Sequence, residues 1–365
     1  MAEFEPIWAI GTMSGTSLDG VDWATVLTDG VDVFEFGASG YRPYTTDERD
    51  ILRAALGTWP DQGSNAQAQA HQTVLNAHIE ALSDVEGDVI GFHGQTLNHD
   101  PASRRTFQIG DGDSLSQALG RPVVWDFRSA DVAAGGQGAP LAPFYHHALA
   151  RRRALGDNSF FLNLGGVGNV TFIRDRSADP EAHGNLIAFD TGPANAPIND
   201  LMKSHFDLEY DKNGQVAAQG TVDIERVTTF LDHPYFKKLP PKSLDRDEFS
   251  DLPILLELLS PEDAVATATA IAVNSVIKSL DLIPVHPQGV VVCGGGRLNA
   301  TIMTQLEETS FNCATAEAYG FDGDMIEAQA FAYLAVRSMR GMTISAPGTT
   351  GAPEPMTGGR ISYLK

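Results

Sequence analysis

Residues 9–22 read AIGTMSGTSLDGVD: three glycines, four Ser/Thr hydroxyls and two aspartates directly after an apolar run. Glycines at a strand end let main-chain N–H groups converge on an oxygen-rich anion, and hydroxyls add donors. Gly15, Thr16 and Ser17 are therefore candidates to cradle a phosphate, although no G-K-[ST] follows as in a P-loop. An ordinary hairpin loop has the same composition. Asp19 and Asp22 could hold Mg²⁺ through water, or could be turn-forming aspartates. In GFHGQT (91–96), His93 and Gln95 stand at the end of a buried strand, where α/β proteins place ligands. A satisfied structural histidine fits His93 as well. Arg128, in DFRSADVAAGGQGAP (126–140), could fork onto a carboxylate or phosphate, with a salt bridge to Asp126 or Asp131 as its rival role. Asp190, in AFDTGPANA (188–196), is a carboxylate at the tip of an apolar strand, a good position for a general base and an equally good one for a helix N-cap. The triple glycine of VVVCGGGRLN (290–299) lets a flat ring or a phosphate lie against the main chain, or serves close helix–strand packing. Glu327 sits on the largely apolar MIEAQAFAYLA (325–335), where a glutamate has a partner, a task or solvent.

Strands and helices alternate around these motifs, which points to an α/β fold. IWAIGTM and VDWATVL read as a hairpin flanking the first glycine turn. A helix follows over 66–82, then strands over 88–94 and 122–127. The pattern then restarts. SFFLNLGGVGNVTFIRD (159–175) is again strand, glycine turn, strand, and NLIAFD (185–190) is a strand leading through TGPANAPINDLMK into a helix. Helices over 265–280 and 325–339 flank the strand of 288–299. Two hairpins about 150 residues apart, each opening a similar series, predict two related domains around a ligand cleft. The Gly/Pro-rich DVAAGGQGAPLAP marks the boundary near 130–142, and the helix from 325 is placed to cross back to the first domain. The expected division is 1–133 plus about 335–365, against 134–334. The tail GTTGAPEPMTGGR reads as loosely structured.

The 365 residues carry 25 basic and 47 acidic side chains, a formal net charge of −22. That argues against non-specific nucleic-acid or anionic-membrane binding. Any phosphate site must overcome a repulsive global field with local N–H groups, an arginine or a metal cation. The two cysteines, Cys293 and Cys313, are not spaced as a zinc site and allow one bridge at most, which fits a reduced, cytoplasmic compartment. The acidic start MAEFEPIWAIG lacks the basic and long apolar regions of a signal peptide, and no run approaches a membrane span.

Taken together, IGTMSGTSLDGVD, GFHGQT, QIGDG, DFRSADVAAGGQGAPL, FLNLGGVGNVT, FDTGPANAPIND, YDKNGQVAAQG, VCGGGRLN and IEAQAFAYLA resemble, in order, the anhydro-N-acetylmuramic acid kinases, from about residue 7 to residue 340. MSGTSLDGVD and DVAAGGQGAPL are the specific motifs; GGG and NGQ are not. The resemblance implies a duplicated actin/hexokinase/Hsp70-type (ribonuclease H-like) α/β fold with ATP in the cleft. It implies conversion of 1,6-anhydro-N-acetylmuramic acid, ATP and water to N-acetylmuramic acid 6-phosphate and ADP in peptidoglycan recycling, with Mg²⁺ and a homodimer. It places Ser14, Gly15, Asp19, Gln95, Arg128, Asp190 and Glu327 around the sugar, with Asp190 catalytic. Nucleotide and metal fall to Gly15, Thr16, Ser17, Leu18, Asp19, Gly20, Val21 and Asp22, with Gly165, Gly166, Gly294, Gly295 and Gly296 bordering the nucleotide; Asp19 is the metal candidate. The chain departs from the family pattern at Gly168, Ala194, Leu244–Asp245 and Arg297–Leu298.

The implied reaction suits one carboxylate. The substrate's internal ether joins C1 to O6, and water attacking C1 needs a base, as in an inverting glycosidase. O6 can leave onto the γ-phosphoryl group in place of a general acid. A kinase acting on an ordinary sugar hydroxyl, and a partner-regulated ATPase of the actin and Hsp70 kind, are the rival readings of the same motifs.

Overall fold

The computed structural model describes residues 4–244, 249–283, 285, 287, 289–309 and 311–364. The chain falls into two compact units, Met1–Ala154 with Asp179–His183 and Met325–Lys365, and Leu155–Ala178 with Gly184–Asp324. Residues 134–154, 179–183 and 325–334 thus group with the first unit, against the expected division at 133 and 335.

In the first unit, β1 (Ile7–Ser14), β2 (Gly20–Thr28) and β3 (Val33–Pro43) form an antiparallel meander. β4 (Val89–Asp100) then adds parallel to β1. β5 (Arg105–Ile109) folds back on the far end of β4, and β6 (Val123–Trp125) adds parallel on β4's other edge. The main order is β3-β2-β1-β4-β6, with the strand Arg360–Ser362 closing the edge antiparallel to β6. In the second unit, β7 (Ser159–Leu164), β8 (Val167–Ile173) and β9 (Leu186–Pro193) form the meander, and β10 (Val290–Cys293) and β11 (Cys313–Thr315) add in parallel. Their order, β9-β8-β7-β10-β11, repeats that of the first unit strand for strand. This is the duplication that the two glycine hairpins predicted, in the actin/hexokinase-like architecture that the resemblance implies.

Glycine decides how closely helices approach the first sheet. A Cβ on Gly11 would lie 1.9 Å from the Ala328 carbonyl oxygen, and one on Gly91 would lie 2.1 Å from that of Phe331. The apolar helix Ile326–Met339 therefore rests main chain to main chain on β1 and β4. The second core is built around Pro261–Leu280, whose small Ala and Thr residues are almost all buried. Ser260 caps its start, accepting from the Asp263 N–H, and the buried Thr269 hydroxyl donates to the Val265 carbonyl 2.8 Å away.

The tail is not loose. Asp131, 2% exposed, accepts from the Ser345 hydroxyl at 2.5 Å, the Thr350 hydroxyl at 2.6 Å and the Gly138 N–H at 2.7 Å. Gln137 N–H also donates to the Thr350 carbonyl. A buried carboxyl needs such donors, and here one of the three comes from the Gly/Pro-rich tail and another from Ser345 just before it. Composition suggested looseness; the donors to a buried side chain impose order.

Candidate functional site

The first glycine turn leaves β1 at Ser14 and enters β2 at Gly20. Leu18 sits in the left-handed region at φ 59°, a strained position for a branched residue, and its side chain is buried in the core. Its N–H closes the turn on the Gly15 carbonyl at 3.1 Å. Thr16, Ser17 and Asp19 are exposed and Asp22 is half-buried. Val21 points into the core, so it and Leu18 offer a ligand main chain alone. The two flanking glycines differ. A Cβ on Gly20 would strike the Arg42 carbonyl at 2.4 Å, so packing demands glycine there. On Gly15 it would meet nothing nearer than Ser17 Oγ at 3.5 Å, so the fold itself leaves room at the cradle.

Beside this turn, β1 and β4 slip register between Thr12 and Ser14, which sets Ser14 opposite Gln95. The bulge re-aims both side chains. Ser14 Oγ donates to Gln95 Oε1 at 2.6 Å and lies 3.0 Å from the Tyr44 hydroxyl. Ser14 is 1% exposed and Gln95 fully buried, so the two expected sugar contacts face each other rather than solvent. His93 is buried too. Its Nδ1–H donates to the Gly94 carbonyl at 2.8 Å, which leaves Nε2 to accept from Arg128 at 3.1 Å. Burial and the neighbouring guanidinium push its pKa down to about 3, so it is neutral.

Arg128 donates a second bond to the Gly138 carbonyl at 2.8 Å. Its Nε is buried with no acceptor among the described residues. Burial lowers its pKa to about 10, opposed by the charges of Glu327 and Asp131, so it stays cationic at neutral pH. Asp131's oxygens are occupied by Gly138, Ser345 and Thr350 instead of a direct pair with Arg128. Glu327, in the first turn of Ile326–Met339, is exposed and near enough to act on Arg128. The first unit thus brings together Ser14, Gln95, His93, Arg128 and Glu327. A guanidinium with an orphaned N–H is suited to an anionic group.

In the second unit, Asp190 belongs to β9. The helix Asn195–Phe206 begins after Ala194 with no side-chain cap, so the N-cap role falls away. A register slip between Gly168 and Asn169 sets Asp190 opposite Asn169 and Gly192 opposite Gly168. The half-buried carboxylate accepts from the Leu244 N–H at 2.8 Å. Burial drives its pKa up to about 6, against that bond and the charge of Lys242. It is a carboxylate poised to take a proton near neutral pH. Asp245 of the departing pair lies outside the described residues.

The glycines of this unit also separate into two kinds. Gly294 holds φ 71°, and Gly296 has Leu164 Cβ 2.5 Å from where its own Cβ would be. Gly165, Gly166 and Gly295 would meet only ordinary contacts at 3.5, 3.4 and 3.7 Å. The carbonyls of Gly165 and Gly166 accept from the N–H groups of Asn195, Ala194 and Ala196, so that turn caps the helix through its main chain. The departing Arg297 has a clear local role. Its guanidinium, 5% exposed, bridges Glu317 at 2.8 Å and Asp324 at 2.7 Å and donates to the Gly294 carbonyl at 3.0 Å, pinning the glycine turn. The departures at 168 and 194 are neighbours: a Cβ on Gly168 would sit 3.8 Å from that of Ala194 and 2.5 Å from Thr191 Oγ1.

Among the described residues no group of three or more His, Cys, Asp or Glu could hold a metal ion by itself. Asp19, exposed on the turn, suits a cation carried in on phosphates, for which one carboxylate suffices. Sequence reasoning passed over Lys242, Tyr235 and Tyr44, whose roles arise only from folding.

The family model described as anhydro-N-acetylmuramic acid kinase matches residues 7–364. A protein of that name from Cereibacter sphaeroides is 55% identical over 358 residues, covering 98% of this chain and 96% of its own. One from a Ruegeria species is 52% identical over 360 residues, covering 98% and 95%. Among solved structures, component A of the (R)-2-hydroxyglutaryl-CoA dehydratase of Acidaminococcus fermentans is similar at 16% identity and a TM-score of 0.46, covering 92% of this chain and 99% of that one.

Proposed function

The chain belongs to the anhydro-N-acetylmuramic acid kinase family, and we propose from that premise how its residues divide the reaction. The enzyme opens the 1,6-anhydro ring of anhydro-N-acetylmuramic acid with water and phosphorylates O6 from ATP, giving N-acetylmuramic acid 6-phosphate and ADP. Peptidoglycan recycling, as a cytoplasmic homodimer, completes this reading.

Asp190 is the base. It takes a proton from water as the water oxygen bonds to C1. The C1–O6 bond breaks, O6 bonds to the γ-phosphorus, and ADP departs. The phosphoryl group accepts O6, so no second carboxylate is needed where an inverting glycosidase uses two. The single observation that supports the assignment is a strand-borne carboxylate oriented by the Leu244 N–H, with burial raising its pKa to about 6. A base works best with a pKa near the operating pH.

Arg128 takes the lactyl carboxylate of the muramic acid, which supplies an acceptor for its buried Nε–H. Glu327 is placed for a hydroxyl or amide group of the sugar. Ser14 and Gln95, bonded to each other, hold the strand end from which the phosphate turn springs. Residues 15–22 cradle the terminal phosphates, and Gly165, Gly166 and Gly294–Gly296 border the nucleotide. Mg²⁺ beside Asp19 would neutralise phosphate charge, which phosphoryl transfer requires and the net charge of −22 makes pressing.

The test is ATP consumption with 1,6-anhydro-N-acetylmuramic acid in ¹⁸O-labelled water, with mass detection of the sugar. Label at C1 of a 6-phosphorylated product is expected. Phosphorylation of an intact hydroxyl would favour an ordinary sugar kinase, and ADP release without sugar product would favour a partner-regulated ATPase.

A further inference from the structure

The second unit wraps Asp190 in a strap running from Tyr235 to Leu244. The Tyr235 hydroxyl donates to the Asp190 carbonyl at 2.5 Å, the Asp190 N–H donates to the Lys242 carbonyl at 3.0 Å, and the Leu244 N–H donates to the carboxylate at 2.8 Å. The same strap buries Lys242, 5% exposed. Its ammonium donates to the Tyr235 carbonyl at 3.1 Å and lies over the Tyr235 ring at 4.2 Å and the Phe189 ring at 5.6 Å. A buried cation is costly, and here one carbonyl and two ring faces hold it beside the strand that carries Asp190.

We propose that Lys242 is a positioning residue for the reaction, a buried cation clasped by the strap that keeps Asp190 ionised and ready to accept the proton of water. The inference rests on Asp190 being the base. Among the described residues, Lys242 is the charged side chain that acts on Asp190. Lys238 acts on Lys242 in turn, and together with burial pushes its pKa down to about 8, so near neutral pH it is still mostly charged. Among the described residues, the other groups against Asp190 and its strand neighbours are uncharged: the Tyr235 hydroxyl on the Asp190 carbonyl, Asn169 across the ladder, Ser279 on the Thr191 carbonyl and Ser275 beside Gly192.

The experiment is the pH profile of kcat/KM for Lys242→Met, Lys242→Arg, Asp190→Asn and the wild type, each checked for folding by thermal melting. Losing a close opposite charge typically moves a carboxylate by about one pH unit or more. The acid limb of Lys242→Met should therefore move up by about one unit, and its rate near pH 6 relative to pH 8 should fall about fivefold against wild type. Lys242→Arg should keep the wild-type limb. A purely structural Lys242 would lower the rate equally at every pH, and a folded Lys242→Met with an unmoved limb overturns the inference. Should Lys242→Met fail to fold, Lys242→Gln takes its place, and a ¹³C NMR titration of the Asp190 carboxyl in Lys242→Arg must still match wild type. If Asp190→Asn turns over at near the wild-type rate, the base assignment and this inference fall together. If it is inactive while the limb stays put, this inference alone fails.

Discussion

Replacing Asp190 by asparagine should remove turnover and at the same time stabilise the fold. The carboxyl's pKa stands at about 6 in the folded protein against 3.8 as the ordinary value. A raised carboxylate pKa means that the folded state binds the proton more tightly than the unfolded one, so ionisation works against folding. The penalty is absent below the ordinary value, grows as pH rises toward 6, and is complete above it. Two units correspond to about 3 kcal/mol at full burial, and Asp190 is only half-buried, so about 1–2 kcal/mol is the reasonable share. Asparagine keeps an acceptor for the Leu244 N–H and adds an amide N–H₂ that needs its own partner, which offsets part of the gain. Melting curves across the acid-to-neutral range should show the variant level with wild type at about pH 4 and about 2–5 °C more stable at neutral pH. Its kcat should fall by about 10²–10⁴-fold, the usual worth of a general base. A variant that melts lower at every pH would mean the carboxylate is a structural tie. One within about tenfold of wild-type kcat would refute the base assignment.

Two other substitutions probe the first unit. Arg128→Ala should raise KM for the muramic substrate more than for ATP in steady-state assays, since the orphaned Nε–H is assigned to the sugar's carboxylate; equal effects on both would contradict that assignment. Gly11→Ala forces a methyl group to within 1.9 Å of the Ala328 carbonyl and 2.3 Å of the Ala332 nitrogen, main-chain atoms that cannot rotate away. The helix Ile326–Met339 must retreat by over about 1 Å, which should cost about 1–3 kcal/mol in denaturant titration, with up to about 10²-fold in kcat/KM because Glu327 rides on that helix.

The repeated hairpins, the strand-tip aspartate and the glycine turns were legible because each is a local signal: period-two apolar runs, punctuated by glycine. The two bulges were not. Nothing in FHGQT or DTGP announces that β4 and β9 slip register, yet those slips set Ser14 against Gln95 and Asp190 against Asn169. The burial of Gln95 was likewise invisible, since a polar side chain at a strand end reads as solvent-facing until its partner arrives from β1. Lys242 belongs to PKS, a stretch with no periodicity, and its relation to Asp190 spans about fifty residues of sequence. The tail was misjudged because its composition is that of a loop. The partner that orders it, Asp131, lies more than two hundred residues upstream.

That tie bears on how the protein comes into being. The first unit is built from segments on both sides of the second: its sheet is complete only when Arg360–Ser362 pairs with β6, and Gly11 and Gly91 meet their helix only once residues 326–339 exist. During synthesis from the amino terminus, β1 and β4 emerge first and wait with an apolar face uncovered, while the whole strand set of the second unit is made in between. The second unit can mature while the first is still unfinished. Residues 326–362 thus act as the fastener of the first unit, and a chain cut before them should leave its sheet uncovered.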